Sequence, residues 1–256
     1  MRRVAFAVLS FIVAGAGAQE TARPSPLLAG TRFQSEDVRN LQADDFANPG
    51  MLWIARGAEA WTAVPKAGGK SCAGCHGEPV SMKGVATRYP RYDKGLERVT
   101  DLAGRIDACN RLHQGGSGYA PESAPLLAIA AFVAHQSRGM PLQGDSSGPV
   151  RALLEQGRLL YRTRIGQLNL ACTHCHDANW GRTLLAEPIS QGHPTAWPGY
   201  RLEWQQFGSL HRRLRACFFG VRAELPPYGS EDLLALEVYL ADRARGLALE
   251  VPGVRR

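Results

Sequence analysis

The chain has 256 residues, of which 45% are hydrophobic and 21% are charged. This is ordinary globular composition, which excludes a disordered, a collagenous or a small disulfide-stapled protein and suits one or two domains. The formal net charge is +7, and all but four of the 30 basic residues are arginines. A basic balance of this kind suits an anionic substrate, an acidic partner or nucleic acid.

The N-terminus has the pattern of a secretory signal peptide. Arg2 and Arg3 precede an apolar run from Val4 to Ala14, and the small residues 16–18 form an A-x-A cleavage site. The apolar run is too short to span a bilayer. We therefore expect residues 1–18 to direct export to the periplasm, which argues against nucleic acid as a partner.

Two copies of the motif C-x-x-C-H follow, at 72–76 and 172–176. This motif attaches c-type haem: the two thiols bond the porphyrin vinyl groups and the histidine binds the iron. Structural zinc and a redox dithiol are alternatives, but paired zinc motifs are usually about 15–20 residues apart. The sequence predicts two covalent haems, held by Cys72, Cys75, Cys172 and Cys175, with His76 and His176 as axial ligands.

The two motifs belong to a longer repeat. The offset of 100 residues between them also relates Gly57 to Gly157, each on a segment before its motif. Apolar segments at 126–134 and 233–241 recur after the motifs with helical periodicity. We expect the glycines to let these helices approach closely in each half. The predicted aromatic contacts are Trp61 with Phe132 and Tyr161 with Tyr239.

This arrangement resembles the single-haem class I cytochrome c domain. The sequence therefore predicts an all-α fold of two tandem class I cytochrome c-like domains, produced by internal duplication. Residues 19–49 have no counterpart in the repeat and form an N-terminal extension of open role. The first domain is predicted at 50–143 with haem 1, and the second at 144–256 with haem 2 and the active site. Pro141 to Pro149, rich in glycine and serine, has the composition of a linker.

The distal iron ligands are predicted from the repeat. Methionine is a common distal ligand of high-potential cytochromes, but no methionine follows Met140. The pattern Leu-x-x-Arg-x-x-x-Cys occurs once in each half and ends at Cys109 and at Cys217. These equivalent positions predict His76/Cys109 ligation for haem 1 and His176/Cys217 ligation for haem 2, and thiolate ligation lowers a reduction potential.

Other arrangements of these residues stay open. Export permits a Cys109–Cys217 disulfide, and cysteines are often simply buried as inert thiols. Four further histidines are candidate ligands: His193 and His211 for the second haem, and His113 and His135 for the first.

Arginines surround Cys217. Arg212, Arg213 and Arg215 precede it and Arg222 follows it. On a helix, Arg213 lies four residues before Cys217 and shares its face. Guanidinium groups lower the pKa of a thiol and bind oxyanions in a bidentate manner. A solvated basic face is the alternative, but a cluster around a thiol directed at iron favours an anion site.

The run at 200–224 resembles the active-site segment of the SoxA family, the dihaem subunits of L-cysteine S-thiosulfotransferase. The resemblance covers nearly all of the chain after the predicted signal peptide, including both haem motifs and both distal cysteines. It implies a periplasmic enzyme of the Sox sulfur-oxidation system, which joins thiosulfate oxidatively to a cysteine of a carrier protein and passes two electrons to haem. It also implies a heterodimer with a smaller monohaem cytochrome c subunit.

The resemblance implies roles for single residues. In this family the cysteine matching Cys217 is found as a persulfide, and the arginine matching Arg213 binds substrate. We therefore expect Cys217 to be the catalytic sulfur beside haem 2, and Arg213, with Arg212, Arg215 or Arg222, to bind thiosulfate. Haem 1 then has a structural or electron-storing role. The alternatives are a non-catalytic dihaem electron carrier, which His/Met ligation would favour, and a dihaem peroxidase, which needs an open iron site.

Overall fold

The structure is a computed structural model, and it describes residues 24–65 and 68–256. The predicted signal peptide at 1–18 lies outside the described residues. In the described part of the chain, no helix is long and apolar enough to cross a membrane.

Helices form most of the regular structure. The α-helices are α1 (Glu36–Ala43), α2 (Met51–Thr62), α3 (Cys72–His76), α4 (Leu102–His113), α5 (Ala124–His135), α6 (Arg151–Arg162), α7 (Cys172–His176), α8 (Leu210–Gly220) and α9 (Glu231–Arg243). Short 3₁₀ turns lie at Gly30–Phe33, Pro79–Met82, Ala86–Arg88 and Gly148–Val150.

Short strands accompany the helices. They are β1 (Arg91–Asp93), β2 (Arg98–Thr100), β3 (Thr183–Leu184), β4 (Glu187–Pro188), β5 (Gly199–Arg201), β6 (Gln206–Gly208) and β7 (Gly253–Arg255). The first four strands form two antiparallel hairpins, whereas β5 pairs antiparallel with β6 and parallel with β7. The fold is therefore mostly helical, as expected, but not strictly all-α, because loop backbone between the helices satisfies its polar groups by strand pairing.

In the first half, α2 packs against α5. Gly57 lies at the crossing, where a side chain would meet the helix backbone: a Cβ there would be 2.9 Å from the carbonyl carbon of Ala128. One turn further on, the rings of Trp61 and Phe132 are 5.7 Å apart. Both residues are buried, and the predicted aromatic contact of the first half is confirmed.

The second half repeats this crossing with α6 and α9. A Cβ on Gly157 would lie 2.6 Å from the carbonyl carbon of Ala235 and 2.8 Å from the Cβ of Tyr239. The rings of Tyr161 and Tyr239 are 5.2 Å apart, which confirms the second predicted contact. In both halves the missing side chain lets two helices approach to backbone contact.

Replacing Gly157 by alanine should destabilise the second half. The added methyl group has to push α6 away from α9, and overpacking of this kind costs about 1–3 kcal/mol. Denaturant unfolding monitored by circular dichroism measures the change in the free energy of unfolding. Gly148→Ala is the matched control, because a Cβ at Gly148 has no atom within 4 Å. Equal stability of the two variants would contradict close packing at the α6–α9 crossing.

The N-terminal extension crosses the molecule to reach the C-terminal strand. Asn48 donates to the carbonyl of Pro252 at 3.0 Å, and the Val254 N–H donates to the side-chain oxygen of Gln42 at 2.9 Å. Helix α1 also lies against β7. Residues 24–49, whose role the sequence left open, therefore tie the start of the described chain to its end.

The predicted linker begins as a paired segment. Leu142 is buried and its N–H donates to the carbonyl of Leu247, while the Leu249 N–H donates to Met140. Pro141 forms an isolated bridge with Ala248. Backbone hydrogen bonds therefore hold the start of the connection between the halves against the segment that follows α9. Its turn-forming composition alone did not predict this pairing.

Candidate functional site

The second C-x-x-C-H motif forms the one-and-a-half-turn helix α7. Cys172 and Cys175 are three residues apart and lie on neighbouring positions of one helix face. Burial raises the pKa of the Cys172 thiol to about 12, so this sulfur is uncharged. Two closely spaced sulfurs, one of them in an apolar setting, suit thioether attachment of a porphyrin.

The imidazole of His176 is oriented by its surroundings. Its Nδ1 lies 2.7 Å from the carbonyl oxygen of Ser190, which places the ring proton on Nδ1. The backbone of Gly192 packs against the ring so closely that a Cβ there would be 3.0 Å from it. A backbone carbonyl bonded to one ring nitrogen directs the other nitrogen, Nε2, to act as a metal ligand.

Cys217 contacts the His176 imidazole from a different helix. It lies on α8, which the β5–β6 hairpin precedes and which Ser209 caps by accepting the Arg212 N–H. The Cys217 thiol is hydrogen-bonded to His176. The structure therefore brings together the two residues that the sequence predicts as axial ligands of one iron.

The electrostatics at Cys217 favour the thiolate. Burial by itself raises the pKa of a thiol, but the charges of Arg213, His176 and Arg201 outweigh it and lower the pKa of Cys217 to about 6. At neutral pH the sulfur is an anion and therefore a nucleophile or a metal ligand. Arg213 lies one helical turn before Cys217 on α8, as the spacing predicts.

The first motif also forms a short helix that lies near a distal cysteine, but the pKa of that cysteine is shifted in the opposite direction. Helix α3 is capped by Ser71, and the ring of Trp61 stacks on His76 at 5.9 Å. Cys109 on α4 is close enough to Cys75 to interact electrostatically with it. Burial raises the pKa of Cys109 despite the adjacent Arg105, whereas the pKa of Cys217 is lowered.

The other arginines of α8 are engaged by neighbouring groups. The Arg212 guanidinium lies 4.5 Å from the ring centroid of Trp204, and that of Arg215 lies 4.4 Å from the ring of Tyr228. Arg222 follows the end of α8 in the left-handed region, with a φ of 56°. In the described residues, Arg213 is the member of the predicted cluster whose charge acts on the thiol most strongly.

Known proteins are similar to this chain in sequence and in fold. A family model described as SoxA/TsdA, cytochrome c domain, matches residues 56–142. The L-cysteine S-thiosulfotransferase subunit SoxA of Pseudaminobacter salicylatoxidans is 40% identical over 231 residues, which cover 90% of this chain and 81% of the relative. The chain belongs to the SoxA family. The SoxA subunit of Paracoccus pantotrophus is 34% identical over 229 residues, which cover 90% of this chain and 79% of the relative.

A solved structure of the SoxA family agrees in fold. The crystal structure of SoxXA from P. pantotrophus superposes with a TM-score of 0.86 at 34% identity and covers 90% of this chain and 87% of the solved one. The protein is thus the cytochrome subunit of an L-cysteine S-thiosulfotransferase. This membership decides against the non-catalytic electron carrier and the dihaem peroxidase that the haem motifs alone left open.

A SoxA cytochrome c domain implies haem c, and the residues present fit that group. In the matched domain, the two thiols of α3 are followed by His76, which stacks on Trp61. In the second half, the donor set is a pair of thiols, an imidazole held by a backbone carbonyl and a facing thiolate. Each of these is a group that attaches or ligates haem.

The disulfide alternative is not supported in this SoxA chain. All six cysteines are free. Cys109 lies beside the first motif, and Cys217 contacts His176 of the second. The two sulfurs therefore serve different sites.

Four other histidines were candidate iron ligands. Two of them are hydrogen-bonded or paired with other side chains, and two lie at helix ends. His193 is buried with Nε2 3.1 Å from the side-chain oxygen of Gln191. His211 is buried with Nε2 3.2 Å from Glu237, and its Nδ1 accepts the Gly229 N–H. The two histidines proposed for the first site lie at the C-terminal ends of α4 and α5: His113, which is exposed, and His135.

Arg201 is a charged group whose charge acts on Cys217, and the sequence did not predict it. It lies on β5 with 6% of its surface exposed, and its Nε donates to the carbonyl of Arg256 at 2.6 Å. It pairs with Glu203, and burial followed by the charge of Arg213 lowers its pKa. Arg201 stands within the segment that resembles the family, but nothing in the local spacing marks one arginine of a strand as a neighbour of a thiol on the next helix.

Proposed function

We propose that this SoxA-family protein uses Cys217 as its catalytic sulfur to join thiosulfate oxidatively to a cysteine of a sulfur carrier protein in the periplasm. The observation that carries the proposal is the asymmetry of the two distal cysteines: Arg213, one helical turn away, and Arg201 act on Cys217, whereas the Arg105 beside Cys109 is paired with Asp93 at 3.0 Å. The pKa of Cys217 is lowered to about 6 by its charged neighbours, whereas that of Cys109 is raised. An ionised sulfur beside cationic groups is the one suited to sulfur chemistry.

The reaction forms one sulfur–sulfur bond. A carrier thiol, R–SH, and thiosulfate, S₂O₃²⁻, give R–S–S–SO₃⁻, one proton and two electrons. Thiosulfate and the carrier sulfur are oxidised together, and the proton comes from the carrier thiol. Haem c, when bound beside Cys217, would accept these electrons one at a time, because its iron is a one-electron acceptor.

The protein's own residues perform the other tasks. Arg213 binds the thiosulfate anion, and Arg201 adds a second positive charge from β5. Arg212, Arg215 and Arg222 add further positive charge on the same segment as Arg213. Cys217, as a thiolate or a persulfide, holds the reacting sulfur, and Ser190 keeps the His176 ring in place.

We infer two covalent haems and two cytochrome c-like domains. The attachment residues are Cys72 and Cys75 for haem 1 and Cys172 and Cys175 for haem 2, with the axial pairs His76/Cys109 and His176/Cys217. The matching helix crossings at Gly57 and Gly157 support an internal duplication with domains at 50–143 and 144–256. The described part of the extension, residues 24–49, then serves to join the second domain to the first.

The partners follow from the same reasoning. The solved relative is named SoxXA, and we expect this chain to form a heterodimer with a SoxX subunit that is a monohaem cytochrome c. The carrier protein brings its cysteine to Cys217. The predicted signal peptide at 1–18 supports export to the periplasm, where haem c is attached.

Cys109→Met should change the spectrum of haem 1 and leave turnover largely intact. The substitution replaces a distal thiol that is remote from Arg213, so thiosulfate still meets Cys217. Electron paramagnetic resonance of the oxidised wild-type protein should show two low-spin species of the His/thiolate type, and the variant should lose one of them.

Two outcomes of this experiment would contradict the proposal. Bis-histidine or His/Met signals in the wild-type protein would remove the distal cysteines as ligands. Loss of thiosulfate conjugation in a Cys109→Met protein that still holds both haems would show that the catalytic sulfur is not confined to the second half.

A further inference from the structure

An ion pair between a buried arginine and a half-buried aspartate lies beside the second haem motif. Asp177 directly follows His176 at the end of α7, and Arg243 is the last residue of α9. Arg243 Nη2 donates to Asp177 Oδ1 at 2.7 Å, and only 2% of the arginine surface is exposed. Charges in such a setting act strongly on their neighbours, because little water screens them.

Two tyrosines hold this pair in place. The Tyr161 hydroxyl donates to the same oxygen, Asp177 Oδ1, at 2.9 Å. The guanidinium of Arg243 lies 4.6 Å from the ring centroid of Tyr161 and 5.8 Å from that of Tyr239. The carboxylate therefore has one cationic and one neutral donor, and the cation stacks on the aromatic pair at the α6–α9 crossing.

The first half carries no charge at these places. Gly77 follows His76 where Asp177 follows His176, and Gln136 stands where the repeat places Arg243. Trp61, at the position of Tyr161, donates to the carbonyl oxygen of Gly77 at 3.1 Å. Both halves thus join the aromatic of the crossing to the residue after the axial histidine, but only the second half adds a carboxylate and a guanidinium there.

We propose that the Asp177–Arg243 pair positions α7 and sets the reduction potential of haem 2 independently of haem 1. This inference rests on the proposed function, in which α7 carries haem c. A carboxylate next to the axial histidine favours ferric iron, which bears more positive charge, and a guanidinium favours ferrous iron. Paired, the two charges largely cancel, so removal of Asp177 leaves the buried Arg243 uncompensated, and removal of Arg243 leaves an unpaired, half-buried carboxylate.

Redox titration of the holoprotein tests the proposal with three variants. Asp177→Asn should raise the potential of haem 2, Arg243→Gln should lower it, and the double variant should return close to the wild-type value. We expect each single variant to change the ferric-to-ferrous ratio at the wild-type midpoint by about tenfold, equivalent to about 1.4 kcal/mol. Haem 1, read from its own low-spin signal, is the internal control and should not move.

Opposite shifts are the signature of charge, because a loosened structure would move both single variants in the same direction. Shifts of equal sign, no shift, or an equal shift of haem 1 would overturn the proposal. If Arg243→Gln does not fold, Tyr161→Phe removes only the neutral donor and should lower the haem 2 potential slightly; no lowering would overturn the proposal. A wild-type protein with a single haem would instead contradict the proposed cofactor content, and this is measured first by haem quantification.

Discussion

Cys217→Ser should abolish conjugation of thiosulfate to the carrier while the protein keeps both haems. Attachment depends on the thiols of α3 and α7, which the substitution leaves untouched. The loss of the thiolate removes both the ligand that faces His176 and the sulfur around which Arg213 and Arg201 are placed. Removal of a catalytic nucleophile typically costs several orders of magnitude, and we expect a loss of about 10³-fold or more.

The matched control is Cys109→Ser, at the equivalent place in the first half. It should keep most of the activity, because the neighbouring Arg105 is engaged with Asp93 at 3.0 Å and the pKa of the Cys109 thiol is raised, unlike that of Cys217. Haem content is measured by absorbance and turnover by the mass of the carrier protein. A Cys217→Ser protein with two haems and the wild-type rate would leave only an electron-transferring role for the second site.

Arg213→Leu should reduce kcat/KM for thiosulfate more than any other change among the arginines of α8. The guanidinium both binds the anion and lowers the pKa of Cys217. Loss of a charge-assisted contact to a reacting anion costs roughly 2–4 kcal/mol, or about 30- to 1,000-fold in kcat/KM. Steady-state kinetics over a range of thiosulfate concentrations measure the effect.

Two control variants separate specific binding of thiosulfate by Arg213 from the effect of removing any positive charge on α8. Arg212→Leu removes a cation that lies on the ring of Trp204, and its effect should be much smaller. Arg213→Lys keeps the charge but not the planar fork of donors, so it should fall between wild type and leucine. Equal kinetics for Arg213→Leu and Arg212→Leu would exclude a specific role of Arg213 in binding thiosulfate.

The helical framework follows from local sequence. Gly57 and Gly157 with their aromatic partners predicted the two helix crossings, because helical periodicity and the absence of a side chain are properties of a few neighbouring residues. The C-x-x-C-H motifs also predicted haem attachment from local sequence, because a single helical turn sets the distances between the two thiols and the histidine. The repeat of Leu-x-x-Arg-x-x-x-Cys also predicted that Cys217 would face His176.

Features that join distant segments were not predictable in the same way. The pairing of Leu142 with Leu247, and the contacts of the extension with Pro252, depend on which backbone groups remain unpaired after the helices pack. No residue type or spacing encodes such a choice. The sequence therefore predicted a linker and an extension without their positions.

The sequence by itself determined the family, and it predicted the sites of haem attachment, the distal cysteines and Arg213, because each prediction uses residues within one or two turns of a helix. Only the tertiary structure decided that the pKa of Cys217 is lowered while that of Cys109 is raised, and that the charge of Arg201 acts on Cys217. It also decided that Arg243 pairs with Asp177. The physical reason is that a pKa or a buried charge depends on every group within several ångströms, and the fold assembles those groups from strands and helices far apart in the chain.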